Sequence, residues 1–354
     1  MNLCTAFRAQ SILWTETRWF SAIDGHRPFG HQLKTTMRLL LTGSSGWLAR
    51  FLAPLLRVHG HDVLGIDVVP GTETDIIGSV ADRSLVDRIF GGHRIEAVIH
   101  AGALHKPDIA RFPPQAFIDV NVTGTLNLLE AAAAAGHDRF VFTSTTSLMI
   151  TDAIRQETGS SAIWLDEDFG PLAPRNIYGV TKLAAEGLCR LYHRDHGIAC
   201  MILRTGRFFP EDDDTIDALD GANLKANEFL NRRLTVEDAA EAHLLALDRA
   251  PALGCETFIL SAPIAFARGD APGLKQDAAA VIARYYPDVA ALYAARGWQL
   301  PQSIGRVYDP GHAERLLGFR ARTDFGGILA ALRDGSPLPF AHDPDYVSPV
   351  TRGS

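Results

Sequence analysis

Between Met37 and Phe51 the chain passes from a short apolar run, Met-Arg-Leu-Leu-Leu-Thr, through Gly43-Ser44-Ser45-Gly46 straight into a helical pattern. A buried strand that turns on glycines into a helix gathers backbone N–H groups and a helix N-terminus at one point, with no side chain in the way. That geometry suits a pyrophosphate. Ala49 stands where a third glycine of such a loop is commoner.

The same alternation continues downstream. Strand-like runs at 37–42, 62–68, 95–100, 139–144, 198–205 and 256–261 are separated by helix-like stretches near 47–59, 83–90, 115–136, 176–196 and 236–249. Strands alternating with helices of this length predict an α/β fold, a doubly wound parallel sheet with helices on both faces. Two stretches rich in turn formers and charge, 150–175 and 206–235, break the rhythm where such folds build substrate sites. The chain therefore divides into an N-terminal extension (1–36), a dinucleotide-binding domain (37–205), a mainly substrate-binding region (206–340) whose strand near 256–261 returns to the sheet, and a tail (341–354). Trp14, Trp19 and Phe20 offer the extension a means of packing on the body; a start codon assigned upstream of Met37 gives the same picture.

Forty-one acidic against thirty-four basic residues leave a net charge of -7, so there is no basic footprint for nucleic acid or an anionic membrane surface. No apolar run approaches the ~18 residues of a membrane span. The four cysteines, Cys4, Cys189, Cys200 and Cys255, form no C-x-x-C pair, and their wide spacing fits a reducing cytoplasm. No metal is expected: His59-x-His61 and His193-x-x-His196 lack a third ligand at usable spacing.

Three further features carry chemistry. Asp67 closes the second strand, 21 residues after Gly46, where a carboxylate accepts both ribose hydroxyls of an adenosine. Val68 and Val69 follow, with no Arg or Lys to pair a 2′-phosphate, which favours NAD over NADP. Tyr178-x-x-x-Lys182 places a phenol and an ammonium on one helix face, and an ammonium beside a phenol is expected to lower its pKa from ~10. Upstream, Thr143-Ser144-Thr145-Thr146-Ser147 ends a strand in hydroxyls able to hold a substrate oxygen, or to cap their own turn.

In this order, together with Val98–Ala103, the Asn121-Val-Thr-Gly-Thr-Leu-Asn segment and Leu203-Arg204, these landmarks resemble the extended short-chain dehydrogenase/reductase superfamily, the NAD-dependent epimerase/dehydratases, over roughly residues 37–335. The resemblance implies a Rossmann-type sheet, NAD as cofactor, Tyr178 as acid/base, Lys182 holding the ribose and tuning Tyr178, and Thr145 at the family's Ser/Thr position. It makes Gly43, Ser45, Gly46, Trp47, Leu48, Asp67 and Val68 cofactor-binding and sets Ser79 and Val80 beside the adenine, although Asp is frequent where Ser79 stands. Ala101, Gly102 and Ala103 would line the cofactor's inner face, with Asn121, Thr143 and Gly206 nearby. It also implies a homodimer formed through the helices near 115–136 and 176–196.

Departures narrow the chemistry. Thr146 and Ser147 replace the Asp-Glu pair of the sugar-nucleotide dehydratases, so dehydration is disfavoured. Arg204-Thr-Gly-Arg207-Phe-Phe-Pro210-Glu replaces the Asn-Pro turn of the epimerases and looks more like uronate dehydrogenases. His105, Thr146, Arg207, Arg232 and Arg233 are the substrate candidates; Lys225 joins the basic group, which can hold a carboxylate or phosphate or simply pair with the acidic residues 211–214 nearby. The expectation is an NAD-dependent oxidoreductase taking hydride from a hydroxyl-bearing carbon of a sugar-like, optionally carboxylated substrate. An NAD-retaining sugar-nucleotide epimerase and a non-catalytic dinucleotide sensor stay open as alternatives.

Overall fold

The computed structural model describes residues 36–212 and 219–348; the expectations for Trp14, Trp19 and Phe20 lie outside them. The strands are β1 (Arg38–Thr42), β2 (Asp62–Asp67), β3 (Ile76–Ile77), β4 (Ala97–His100), β5 (Arg139–Thr145), β6 (Ile163–Leu165), β7 (Ala199–Thr205), β8 (Cys255–Leu260) and β9 (Arg306–Tyr308). Seven of them make one parallel sheet in the order β3-β2-β1-β4-β5-β7-β8, and β6 and β9 pair separately.

In the sheet the winding reverses between β1 and β4, opening a crevice at their carboxyl ends where doubly wound folds take ligands. Leu39, Leu40 and Leu41 explain why β1 is central. All three are fully buried, as a strand covered on both faces requires. Leu39 and Leu41 join the core formed with helices α1 (Trp47–Val58) and α6 (Val236–Leu253), whereas Leu40 joins the opposite core with α2 (Arg83–Gly92), α3 (Gly124–Ala134) and α4 (Ile177–His196). Each such leucine contributes about 1.5–3 kcal/mol relative to exposure.

The helix expected over 115–136 is interrupted. A single turn, Pro114–Phe117, runs into a π-helical segment, Ile118–Thr123, before α3 begins. The stretch 206–235 is not wholly irregular either, since it contains α5 (Gly221–Glu228). Beyond β8, helices Ala278–Tyr285, Val289–Arg296 and Phe325–Asp334 enclose a further core around Phe229, Tyr293 and Phe325. Asn176 caps α4 by accepting from Gly179 N–H, and Gly197, at φ +73°, ends it.

Candidate active site

The crevice is built from backbone. Gly43 has φ +71°, and a Cβ there would lie 2.7 Å from the Gly102 nitrogen, so only glycine lets the β1 and β4 loops touch. Gly102 N–H donates to Thr42 Oγ1 at 2.9 Å, and Thr42 in turn pairs with His100 Nδ1 at 2.7 Å. Trp47 and Leu48 turn their side chains into the core, leaving only their backbone to a ligand. Asp67 Oδ2 accepts from Ser45 N–H at 3.0 Å and Oδ1 from Val69 N–H at 3.3 Å. Burial pushes the Asp67 carboxyl up against the pull of these bonds. Val68 is exposed at the rim, and Val80 is buried behind it with its carbonyl accepting from Asn127 Nδ2. Ser79 Oγ caps its own turn at Ala81 N–H, while Ala101 and Ala103 lie half-buried past β4. Asn121 spends its amide on the crevice wall, accepting from Leu104 N–H and donating to Leu104 O and Thr181 Oγ1.

Tyr178 is buried against the His105 ring, with Thr145 close enough to favour its ionised form. Lys182 Nζ donates to Thr143 O at 2.7 Å and lies 4.6 Å over the Phe142 ring. This corrects the expected pairing. Burial pushes Tyr178 up to about 12, opposed by the neighbouring Thr145 and not by Lys182, whose ammonium is committed to the strand carbonyl. Burial brings Lys182 itself down to about 7.

Glu186, not singled out by its motif, locks this helix to the sheet. Its carboxylate receives Ser144 Oγ at 2.7 Å, Arg204 through two bonds at 2.9 and 2.8 Å, and Arg190 at 3.0 Å. Burial acts to raise its pKa, but the bonds and charge of Arg204 hold it below the usual carboxylate range. The available signal was its position, one turn past Lys182 on the same face.

The substrate candidates separate. The His105 ring packs against Tyr178 and Phe209, each 5.8 Å away between centroids, and burial and the Lys182 charge bring it down to about 4, leaving it neutral at pH 7. Thr146 turns its hydroxyl to Thr205 O at 3.1 Å, within the sheet end itself. Arg207 donates to Asp212 O at 3.1 Å. Arg232 and Arg233 both hold the Glu228 carboxylate, at 3.0 and 2.8 Å, and Arg233 also reaches Phe209 O. Arg233 is therefore interior scaffolding, a correction to its reading as a substrate residue: the carboxylate it holds is supplied by the chain. Lys225 likewise holds Asp212 at 2.6 Å. A Cβ on Gly206 would lie 2.7 Å from Arg232 O, so this glycine serves the packing of that segment. His59 and His193 bond carbonyls of their own surroundings, and among the described residues no group of three or more His, Cys, Asp or Glu is placed to hold a metal.

A parallel sheet with its reversal at a glycine-walled crevice, a carboxylate at the end of β2 and a Thr–Tyr–Lys set at the end of β5 define a dinucleotide-dependent fold and site. Residues 39–218 match the NAD dependent epimerase/dehydratase family. The L-arabinose 1-dehydrogenase (NAD(P)(+)) of Haloferax volcanii is 34% identical over 184 residues, 50% of this chain and 69% of the relative. The uronate dehydrogenase of Pseudomonas syringae pv. tomato is 27% identical over 180 residues, 49% of this chain and 60% of the relative. A short-chain dehydrogenase/reductase superfamily protein from Agrobacterium tumefaciens, solved with bound NAD, superposes with a TM-score of 0.60 at 25% identity, over 84% of this chain and 97% of that one. The chain also matches a UDP-glucose 4-epimerase of Rhizobium meliloti, spanning 50% of its length at 29% identity. This protein belongs to the NAD-dependent epimerase/dehydratase family.

Proposed function

We propose that the protein is an NAD-dependent dehydrogenase that oxidises a hydroxyl-bearing carbon of a small sugar or sugar acid. The observation that carries this reading is the Tyr178–Lys182 pair one turn apart on α4, with Lys182 anchored to β5 through Thr143 O and the Tyr178 phenol buried beside Thr145. NAD fits the residues present: the Gly43–Gly102 contact leaves backbone open to a pyrophosphate, and Asp67 keeps acceptor capacity for ribose hydroxyls. Bound there, it supplies a hydride acceptor. Thr145 orients the substrate hydroxyl, Tyr178 takes its proton, and Lys182, anchored to the strand beside them, holds the cofactor's ribose. The neutral His105 ring and Phe209 give the entrance an aromatic wall suited to a sugar ring.

Net dehydrogenation is favoured over epimerisation by the fate of the basic residues. An epimerase that swings its intermediate needs a fixed distal anchor such as a diphosphate, whereas Arg232, Arg233 and Lys225 each hold a carboxylate of the chain itself. The arabinose and uronate dehydrogenases among the relatives support the same side. A panel of aldoses, uronates and sugar nucleotides with NAD+, followed by NADH absorbance, tests the reading. One NADH released per substrate consumed is the expected result. Interconversion of a sugar nucleotide by purified protein with no added cofactor would make it an epimerase, and NADH binding without turnover of any substrate would make it a sensor.

The same reading makes the protein a cytoplasmic homodimer. Val180, Ala184, Gly187 and Leu191 form an exposed stripe of apolar and small residues along α4, with Ile118 exposed on the neighbouring π-helical segment. A second copy related by a two-fold axis would cover it in a four-helix bundle. Cys189, Cys200 and Cys255 are free thiols, in keeping with a reducing compartment, and among the described residues no helix is long and apolar enough to cross a membrane.

A further inference from the structure

Behind the strand end that carries the hydroxyls lies a fully buried imidazole, His243 on α6, which no step above uses. Its Nδ1 is 2.7 Å from Ala239 O, and its Nε2 is 2.8 Å from Thr143 Oγ1. A carbonyl oxygen only accepts, so Nδ1 carries the proton. Burial brings the ring down to about 4, so it is neutral and Nε2 is bare. The Thr143 hydroxyl must then donate to Nε2. The carbonyl of that same Thr143 accepts from Lys182 Nζ at 2.7 Å.

We infer that His243 is a positioning residue: by fixing the Thr143 hydroxyl from behind the sheet, it fixes the peptide whose carbonyl holds the Lys182 ammonium in front of it. The chain Ala239–His243–Thr143–Lys182 crosses from α6 through β5 to α4, joining three elements 39 to 100 residues apart in sequence through hydrogen bonds of 2.7–2.8 Å. His243 therefore acts on the site only through Lys182. Without it, the Thr143 hydroxyl is a buried donor with no acceptor, and the residue whose carbonyl holds Lys182 loses its support from α6. The charged and titratable groups facing Lys182 are Glu186 and Cys189 on its own helix, and His100 and His105 from β4 and the loop after it. Both histidines are neutral at pH 7 and Cys189 stays a thiol, so the carbonyl and Glu186 are what favour the ammonium.

This inference rests on the proposed NAD-binding function, and its test reads cofactor affinity without requiring a known substrate. NADH binding is followed by fluorescence titration between pH 6 and 9 for the full chain and for His243→Leu, His243→Gln, Thr143→Val and the Thr143→Val/His243→Leu double variant, each with a thermal melt. His243→Leu and Thr143→Val are each expected to weaken NADH by roughly tenfold, and the double variant by no more than either alone, because both cut one chain. The pH at which affinity falls on the alkaline side moves downward in both, since a displaced carbonyl no longer favours the ammonium. His243→Gln, whose carbonyl can accept from Thr143, regains most of the loss. Multiplying effects, an unmoved pH dependence, or a lowered melting point with unchanged NADH affinity would each overturn the inference. Failure of the unaltered chain to bind NADH would instead overturn the functional reading, and this inference with it.

Discussion

Arg204 and Glu186 form a two-pronged ion pair sealed from water, with Nε and Nη2 of the arginine on β7 donating at 2.9 and 2.8 Å to the carboxylate on α4. Ser144 adds a third bond from β5, so one carboxylate ties the helix bearing Tyr178 and Lys182 to two strands of the sheet. Removing one partner leaves an uncompensated buried charge, which typically costs 3–5 kcal/mol, about as much as many domains have to spare.

Arg204→Met should accordingly destabilise the fold by about 3–5 kcal/mol in urea denaturation, and more than Arg190→Met, whose guanidinium is half exposed. The sign of the pH dependence follows from Glu186. Its folded pKa is depressed, so its contribution is present above the unfolded value near ~4.3 and is lost as pH falls through the folded value. Equal midpoints for the two variants would remove the pair from its anchoring role.

Tyr178→Phe should keep NADH affinity while lowering turnover by at least the ~100-fold that a general acid/base supplies. The Tyr178 ring packs on the His105 ring, a contact the phenyl ring preserves while the hydroxyl beside Thr145 is lost. Steady-state rates on the active substrate, alongside NADH titration, check this. Near-normal turnover would take Tyr178 out of the mechanism.

Lys182 carries a cost with a definite pH dependence. Its folded pKa lies at about 7, below an unfolded value of ~10.4, so the unfolded chain binds more protons between the two and stability rises with pH across that window. Lys182→Met should therefore melt at a higher temperature than the unaltered chain at pH 6, with the difference shrinking toward pH 10, while activity is lost throughout. A melting-point difference that does not change with pH would show that the ammonium is not desolvated in the folded protein.

How much of this was legible beforehand follows the range of the interactions involved. The sheet announces itself because Leu39, Leu40 and Leu41 are contiguous and apolar, as a doubly covered strand must be. The two-residue β3 and three-residue β6 and β9 are too short to show a period. Helix α5 hides for a different reason. It buries Asn223, Lys225, Asn227 and Glu228, whose partners include Gln299 O, Asp212 and Arg233, so no apolar stripe marks it. In the site, Gly43, Asp67 and the Tyr178–Lys182 spacing were readable because each is a local pattern. Arg204–Glu186 and Thr143–His243 were not, since the sheet order and not the spacing brings them together. The expected tuning of Tyr178 by Lys182 failed on a point no spacing reveals, the Thr143 carbonyl that takes the ammonium.

Asp67 is expected to decide cofactor choice. Both carboxylate oxygens accept a backbone N–H, from Ser45 and Val69, and each keeps a lone pair for a ribose hydroxyl. A 2′-phosphate in the same place would meet that negative charge, and the next two residues are Val68 and Val69, which offer it no cation. NAD should therefore bind well ahead of NADP, even though the arabinose dehydrogenase relative is named for both. Asp67→Ala removes the acceptors and the repulsion together. Losing hydrogen bonds to a charged group costs about 1.5–3 kcal/mol, so NADH affinity should fall at least roughly tenfold while NADPH affinity holds or rises. The ratio of the two dissociation constants, measured by the same fluorescence titration at fixed salt, is the quantity that decides. A ratio left unchanged by Asp67→Ala would mean that the preference, if present, is set elsewhere in the crevice and that Asp67 serves only to fold the loop between Ser45 and Val69.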